Sequence, residues 1–128
     1  MSVDPITLLG LPLDANSSFL FGCAQGPAAI RAALRSTSGN DANEASVHVT
    51  PLLEDLGDVA VDNERGSFAD ADAITAAVDE QLAAGRQIIS LGGDHSVTYP
   101  ILRAFRAHHA ELTVVHIDAH PDMYDDLD

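Results

Sequence analysis

The chain has 128 residues, of which 46% are apolar, and this is enough for one domain with one hydrophobic core. Its 20 Asp and Glu residues against 6 Arg give a formal net charge of −14, which disfavours nucleic acid and membrane surfaces as partners. A single cysteine excludes an internal disulfide framework. The N-terminal sequence also lacks the basic lead of a signal peptide, so we expect a cytoplasmic protein.

The first half of the chain predicts a strand, a long loop and a helix. Residues 5–12 ("PITLLGLP") form a short apolar run that ends at a proline, which is typical of a buried strand. Residues 13–25 are rich in Asn, Ser and Gly and predict a loop. Residues 26–35 ("GPAAIRAALR") predict a helix, because proline is well placed in the first turn. Residues 47–61 contain short strand-like pieces interrupted by proline and glycine.

In the second half of the chain, the predicted helices and strands alternate more regularly. Residues 67–84 predict a helix, with apolar residues at helical spacing and Gly85 as its C-terminal stop. Residues 86–97 ("RQIISLGGDHSV") predict a strand that runs into a glycine turn, and residues 98–110 a helix with proline in its first turn. Residues 112–117 ("LTVVHI") predict a last strand, buried on both faces. Strands that alternate with helices indicate an open α/β sheet of parallel strands.

Polar residues follow two of the predicted strands at the point where each strand ends. These are "GGDHS" (residues 92–96) and "DAHPD" (residues 118–122). In open α/β sheets, ligands bind beyond the carboxyl ends of the strands. Either motif alone is compatible with an ordinary polar turn, but the two together favour a metal site.

The motifs also suggest which side chains converge. The paired glycines let the backbone turn sharply, so that His95 can reach back over the sheet edge. Asp118, His120 and Asp122 share parity in an extended backbone and can point to one side. We therefore expect these four side chains to meet at one edge of the sheet. Their mixed oxygen and nitrogen donors suit Mn²⁺, with Fe²⁺, Ni²⁺, Co²⁺ and Zn²⁺ as competitors.

At these residues the chain resembles the ureohydrolase family, which includes arginase, agmatinase and formiminoglutamase. The resemblance extends over nearly the whole chain. Residues 10–31 are similar to the family's N-terminal strand, active-site loop and Gly-Pro-x-x-Ile-Arg helix, and residues 53–59 ("LEDLGDV") to its next segment. The sequence "GGDHSVTYP", with Tyr-Asp after the second motif, resembles the agmatinase-like branch more than the true arginases.

The resemblance implies a three-layer α/β/α fold with a mostly parallel sheet, and a manganese enzyme with two Mn²⁺ in each complete active site. Such an enzyme hydrolyses the guanidino C–N bond of a small linear amidine and releases urea. The implied metal ligands are His95, Asp118, His120 and Asp122, with Asp118 bridging both ions. Asp118 and His120 are also the implied catalytic residues.

Two further residues are interpreted as supports of the ligands. Asp94 is expected to orient ligands or backbone rather than to bind metal. His116 lies inside an apolar run and is interpreted as a core histidine or as a support of the ligands. The residues that bind substrate are not identified by the sequence.

The resemblance also implies that a part of the site is missing. The family supplies further metal carboxylates from a later Asp-x-Asp motif, and this sequence stops at Asp128. We therefore expect residues 1–128 to be the N-terminal part of a single ureohydrolase domain, inactive alone. The full-length protein is expected to form a homo-oligomer, a trimer or hexamer.

Two alternatives remain open at this point. One is a zinc-dependent deacetylase-like enzyme of the related fold, which also builds its site from Asp and His at strand ends. The other is a non-catalytic metal-binding paralogue. The sequence does not distinguish agmatine, arginine or other guanidino compounds as the substrate.

Overall fold

A parallel sheet of three strands forms the centre of the computed structural model, which describes residues 5–122. The strands are β1 (Ile6–Leu11), β2 (Leu53–Asp58) and β3 (Ile88–Gly92), in the order β2-β1-β3. Five of the six residues of β1 are buried, as expected of the central strand of a parallel sheet. The carboxyl ends of β1 and β3 lie side by side, since Leu11 pairs with Gly92.

Three helices connect and cover these strands: α1 (Gly26–Leu34), α2 (Phe68–Ala83) and α3 (Thr98–His108). Proline occupies the first turn of α1, and the Ser67 hydroxyl caps α2 by accepting a hydrogen bond from the Asp70 N–H. The helices lie close to their predicted bounds. Within residues 5–122, no helix has the length and apolar character needed to cross a membrane.

The helices lie on both faces of the sheet. Leu9 and Leu11 of β1 pack in one apolar core with residues of α2 and α3, including Ile74. Gly10 points to the opposite face because side chains alternate along a strand. A Cβ atom at Gly10 would lie 2.9 Å from the guanidinium of Arg31 in α1. The chain therefore has the α/β/α layers that the resemblance implies, and the predicted α/β fold class is confirmed.

A buried guanidinium fixes α1 to β2. Arg31 donates from Nε to Asp55 Oδ1 at 2.9 Å, from Nη1 to Asp58 and from Nη2 to the carbonyl of Gly57 at 2.7 Å. The side chain of Arg31 is almost fully buried, so loss of either carboxylate would leave a desolvated charge short of partners. These contacts fix the position of α1 against the sheet.

The predicted strand over residues 112–117 is wrong for the described structure. The segment has no strand assignment, and Val115 and Ile117 are 82% and 93% exposed. An apolar run indicates a preference for burial, but a strand also needs a hydrogen-bonded neighbour. The segment pairs with none of β1 to β3 within residues 5–122.

Candidate metal centre

The first part of the site is the turn that follows β3. Gly93 packs so closely against the preceding loop that a Cβ atom there would lie 1.8 Å from the carbonyl oxygen of Leu13. Neither Gly92 nor Gly93 has a positive φ. The chain does bend at Gly93 and Asp94, directly after β3, and Gly93 is also required there for the close approach of two backbones. This contact brings the His95 turn beside the loop after β1.

Asp94 holds this turn in place. Its Oδ1 accepts hydrogen bonds from the Ser96 N–H at 2.9 Å and the Ser96 hydroxyl at 2.5 Å. Its Oδ2 accepts from the N–H of Asn16 at 3.0 Å. Both oxygens are thus engaged by neighbouring backbone and hydroxyl groups. The contacts of Asp94 are those of a residue that orients the backbone around His95.

Four side chains converge beyond the end of β3: His95, His116, Asp118 and Asp122. Each offers one ligand atom, and these four atoms lie within 4.8 Å of one another. His95 Nε2 is 2.7 Å from Asp122 Oδ2, and His116 Nε2 is 3.8 Å from Asp118 Oδ2. The two imidazole rings are 5.5 Å apart between centroids. Three of the four predicted ligands thus meet at this edge of the sheet.

His120, the fourth predicted ligand, lies outside this group of four. Its side chain is 76% exposed, and its Nδ1 is 3.6 Å from Asp118 Oδ1. The two oxygens of Asp118 therefore face different imidazoles, with Oδ2 towards His116 and Oδ1 towards His120. His116 belongs to the group of four although neither sequence motif contains it. The feature of the sequence that could have identified it is that it shares the parity of Asp118 in an extended backbone.

The environment of Asp118 favours its ionised form. The backbone N–H of His120 donates to Oδ1 at 2.9 Å and holds the pKa of Asp118 below its ordinary value. Partial desolvation opposes this lowering of the pKa, and the nearby imidazoles of His116, His95 and His120 add to it. Asp118 is therefore a carboxylate, ready to bind a cation, at neutral pH.

The donor set fits a divalent transition metal. Two imidazole nitrogens and two carboxylate oxygens are the mixed ligands that such ions prefer. Bonds to these ligands are about 2.0–2.2 Å long, so donors on opposite sides of an ion lie about 4 Å apart. The four donor atoms need only a small closure to reach that geometry.

A cavity of about 320 Å³ adjoins His95. The loop after β1 forms one wall, with Asn16, Ser17, Ser18 and Cys23. The opposite wall is the turn that carries His95. The cavity therefore offers hydroxyl and amide groups next to the candidate metal centre, a suitable place for a small polar molecule.

The loop after β1 is closed at its base by Asp14. Its Oδ2 accepts from the N–H of Gly22 at 2.7 Å, and its Oδ1 accepts from Asn63 Nδ2 at 2.9 Å. Asn63 Oδ1 in turn accepts from the N–H groups of Asp14 and Ala15. The hydrogen bond from Gly22 holds the pKa of Asp14 below its ordinary value. These bonds fix the wall of the cavity to the body of the sheet.

The chain matches a family model described as the arginase family over residues 4–128. Among curated proteins it is similar to arginase 1, mitochondrial, of Arabidopsis thaliana. The two are 38% identical over 127 residues, covering 93% of this chain and 37% of the relative.

Solved structures give the same relationship. A hypothetical agmatinase from Burkholderia thailandensis has a TM-score of 0.83 at 28% identity, covering 96% of this chain and 40% of that one. Formiminoglutamase from Trypanosoma cruzi, crystallised with Mn²⁺ at pH 8.5, has a TM-score of 0.67 at 27% identity, covering 81% of this chain and 36% of that one. The chain thus spans about two fifths of the length of these relatives.

Proposed function

The chain belongs to the arginase family, and we propose that residues 1–128 are the N-terminal part of a hydrolase that cleaves the guanidino C–N bond of a linear amidine. The products are urea and an amine. The observation that carries the proposal is the convergence of His95, Asp118 and Asp122 at the carboxyl edge of the sheet, with His120 beside the other oxygen of Asp118. The relatives named arginase and agmatinase support the reaction class.

We propose two Mn²⁺ as the cofactor of the complete site. Bound divalent ions of this kind supply a nucleophile at neutral pH by lowering the pKa of coordinated water. His95 and Asp122 would hold one ion and His120 the other. Asp118 would serve both, since its Oδ1 faces His120 and its Oδ2 faces His116, whose ring is 5.5 Å from that of His95. Further carboxylates would come from a later part of the domain. The Mn²⁺ in the crystals of the Trypanosoma cruzi relative supports this choice of metal.

The residues of this chain would position and attract the substrate. Asp94 holds the His95 turn, and the Asp14 hydrogen bonds hold the loop that forms the opposite wall of the cavity. The net charge of −14 favours the approach of a guanidinium cation. We propose agmatine as the substrate, which the relative described as a hypothetical agmatinase supports. Arginine is the second candidate, because the Arabidopsis relative is named an arginase.

Urea release by the full-length protein tests the proposal. We expect Mn²⁺-loaded protein to release urea from agmatine faster than from arginine, and the 128-residue chain to release none. Replacing Asp118 with Asn should lower the rate by more than roughly 100-fold, since loss of a ligand's supporting partner alone costs about 10–100-fold.

His108→Asn is the matched control for this experiment. His108 pairs with Asp79 of α2 and is not one of the candidate metal ligands. Its rate of urea release should match that of the unsubstituted protein. Absence of urea from both substrates, or full activity of Asp118→Asn, would contradict the proposal.

A further inference from the structure

We infer that a second cavity at the carboxyl edge of the sheet, between the N-terminal ends of α2 and α3, binds the apolar part of the substrate. The ligand class is an N-substituted guanidine whose substituent ends in a hydrocarbon group. The inference rests on the proposed function, because it places the guanidinium in the polar cavity beside His95. It goes further by assigning a separate pocket and the residues that select the substituent.

The second cavity has a buried apolar floor. Its volume is about 300 Å³, near the lower end of the range for small-molecule sites. Leu13, from the loop after β1, is 4% exposed, and Pro100 of α3 is fully buried. Ala71 of α2 adds a methyl group to the lining. A cavity of this size and character has room for a short alkyl chain or one aromatic ring.

Two aromatic rings lie at the rim of the second cavity. Phe68 and Tyr99 both line it, although they are 86% and 67% exposed. The guanidinium carbon of Arg103 is 5.9 Å from the centroid of the Tyr99 ring, close enough for a cation–π contact. Arg103 is itself attached to α2, because its Nε donates to Thr75 Oγ1 at 3.0 Å. The rim is therefore partly ordered before a ligand arrives, which lowers the entropic cost of binding.

The second cavity shares a wall with the polar cavity beside His95. Asn16 and Ser96 line both cavities, and Asn16 Nδ2 donates to Ser96 Oγ at 3.1 Å. The Asn16 side chain is also held by its Oδ1, which accepts from the N–H of Gly66 at 2.9 Å. A ligand with a polar head and an apolar tail can therefore occupy both cavities across this hydrogen-bonded pair.

The lining of the second cavity selects an uncharged substituent. Its polar groups are the hydroxyls of Ser67, Ser96 and Tyr99 and the amide of Asn16, and the described residues that line it include no charged side chain. An ammonium or carboxylate group there would lose its hydration without gaining a charged partner. A hydrocarbon group gains up to about 4-fold in affinity for each CH₂ that it buries. The cavity therefore takes an alkyl or aryl substituent, and the charged ends of agmatine and arginine stay outside it.

Urea release from butyl-, hexyl- and octylguanidine by the full-length, Mn²⁺-loaded protein tests the inference. We expect KM to fall by at least about 10-fold from butylguanidine to octylguanidine, the gain from burying a few CH₂ groups. Ala71→Leu, which fills the cavity, should remove this gain and leave kcat and the KM for butylguanidine within about 2-fold of their original values. Ala76→Leu, on the exposed face of the same helix, is the matched control and should keep the full dependence on chain length.

Binding of the corresponding amines gives a readout that needs neither turnover nor a variant. Calorimetry should show octylamine binding at least about 10-fold more tightly than butylamine. Octylamine, but not butylamine, should also protect Phe68 and Tyr99 from hydroxyl-radical oxidation, read by mass spectrometry. Phe19, which is not among the described residues that line either cavity, should stay reactive.

Equal affinities for the two amines, or unchanged oxidation of Phe68 and Tyr99, would overturn the inference and would mean that the cavity is covered in the full-length protein. A dependence of KM on chain length that survives in Ala71→Leu would also overturn it. Urea release from agmatine separately decides the proposed function, because agmatine does not use the second cavity.

Discussion

Asp118 is the side chain on which the candidate centre depends, because its two oxygens face different imidazoles. The backbone N–H of His120 holds its pKa low, so the carboxylate is charged before any cation arrives. A carboxylate with this placement can join two ions or complete the site of one. Which of these two roles Asp118 has depends on whether His116 or His120 binds a metal ion beside it.

The close contact at Gly93 leads to a prediction about stability. Gly93→Ala would place a Cβ atom 1.8 Å from the Leu13 carbonyl oxygen, and neither backbone can retreat without moving β1 or β3. We expect a loss of about 1–3 kcal/mol in the free energy of unfolding, the usual cost of overpacking. Thermal unfolding of the full-length protein measures it.

Gly39→Ala is the control for that substitution, because a Cβ atom at Gly39 would meet no heavy atom closer than 3.4 Å. Its free energy of unfolding should change by no more than about 0.5 kcal/mol. Equal melting temperatures for the two variants would show that the Gly93 contact relaxes freely.

The sequence predicted part of this site and missed another part, for a physical reason. The two motifs identified His95, Asp118 and Asp122 because each motif directly follows an apolar run. The parity argument that grouped His120 with them assumed an extended backbone. Residues 112–122 are irregular instead, and Asp122 has a φ of 48°, so side-chain direction no longer alternates there. His116, which shares the parity of Asp118, belongs to the group instead of His120.

At the level of elements, the loop between β1 and α1 is held by one ionised side chain. Asp14 closes the loop by accepting from the N–H of Gly22, and that hydrogen bond holds its pKa below the ordinary value of 3.8. A lowered pKa means that the folded state favours the ionised form. The stabilisation is therefore complete above the ordinary pKa and is lost as the pH falls through the lowered one.

We expect the Gly22 amide to be protected from hydrogen exchange at pH 6 and to lose this protection in acid, as the pH falls through the lowered pKa of Asp14 and the carboxylate becomes protonated. Asp14→Ala should remove the protection at pH 6, whereas Asp41→Ala, which affects a different loop, should leave it intact. Persistent protection of Gly22 in Asp14→Ala would show that other contacts close the loop.

Apolar patterning and stop signals predicted the three helices, β1 and β3, whereas β2 was expected only as short strand-like pieces within residues 47–61. The prediction of a strand over residues 112–117 used the same signal and was wrong for the described structure. Hydrophobicity reports which residues favour burial, but the position of a strand depends on a partner strand elsewhere in the fold. A pattern within six residues carries no information about that partner.

For the molecule as a whole, large apolar side chains are exposed in separate places. Phe19, Phe68 and Ile117 are 85%, 86% and 93% exposed. A small soluble domain seldom exposes several large apolar side chains. Each one that stays in solvent is lost from a hydrophobic core that is already small. The net charge of −14 opposes association, but charge repulsion does not cover the exposed apolar side chains.

We therefore expect the isolated 128-residue chain to self-associate or to unfold without a sharp transition. Light scattering coupled to size exclusion measures the first property and calorimetry the second. Ile117→Ser should reduce self-association more than the same change at Val47, which is 44% exposed in a different loop. A monodisperse monomer with sharp two-state melting in metal-free buffer would show that this part of the fold is self-sufficient.

The number of metal ions bound by the full-length protein tests most directly whether residues 1–128 carry part of a binuclear metal centre. After Mn²⁺ loading and removal of free metal, elemental analysis should give two Mn²⁺ per full-length chain, because Asp118 lies between two imidazoles and we propose further carboxylates from a later part of the domain. Asp118→Ala should lose both ions, and His108→Ala neither. One metal ion per full-length chain, retained when His120 is replaced, would contradict a binuclear centre and favour the zinc-dependent deacetylase-like alternative.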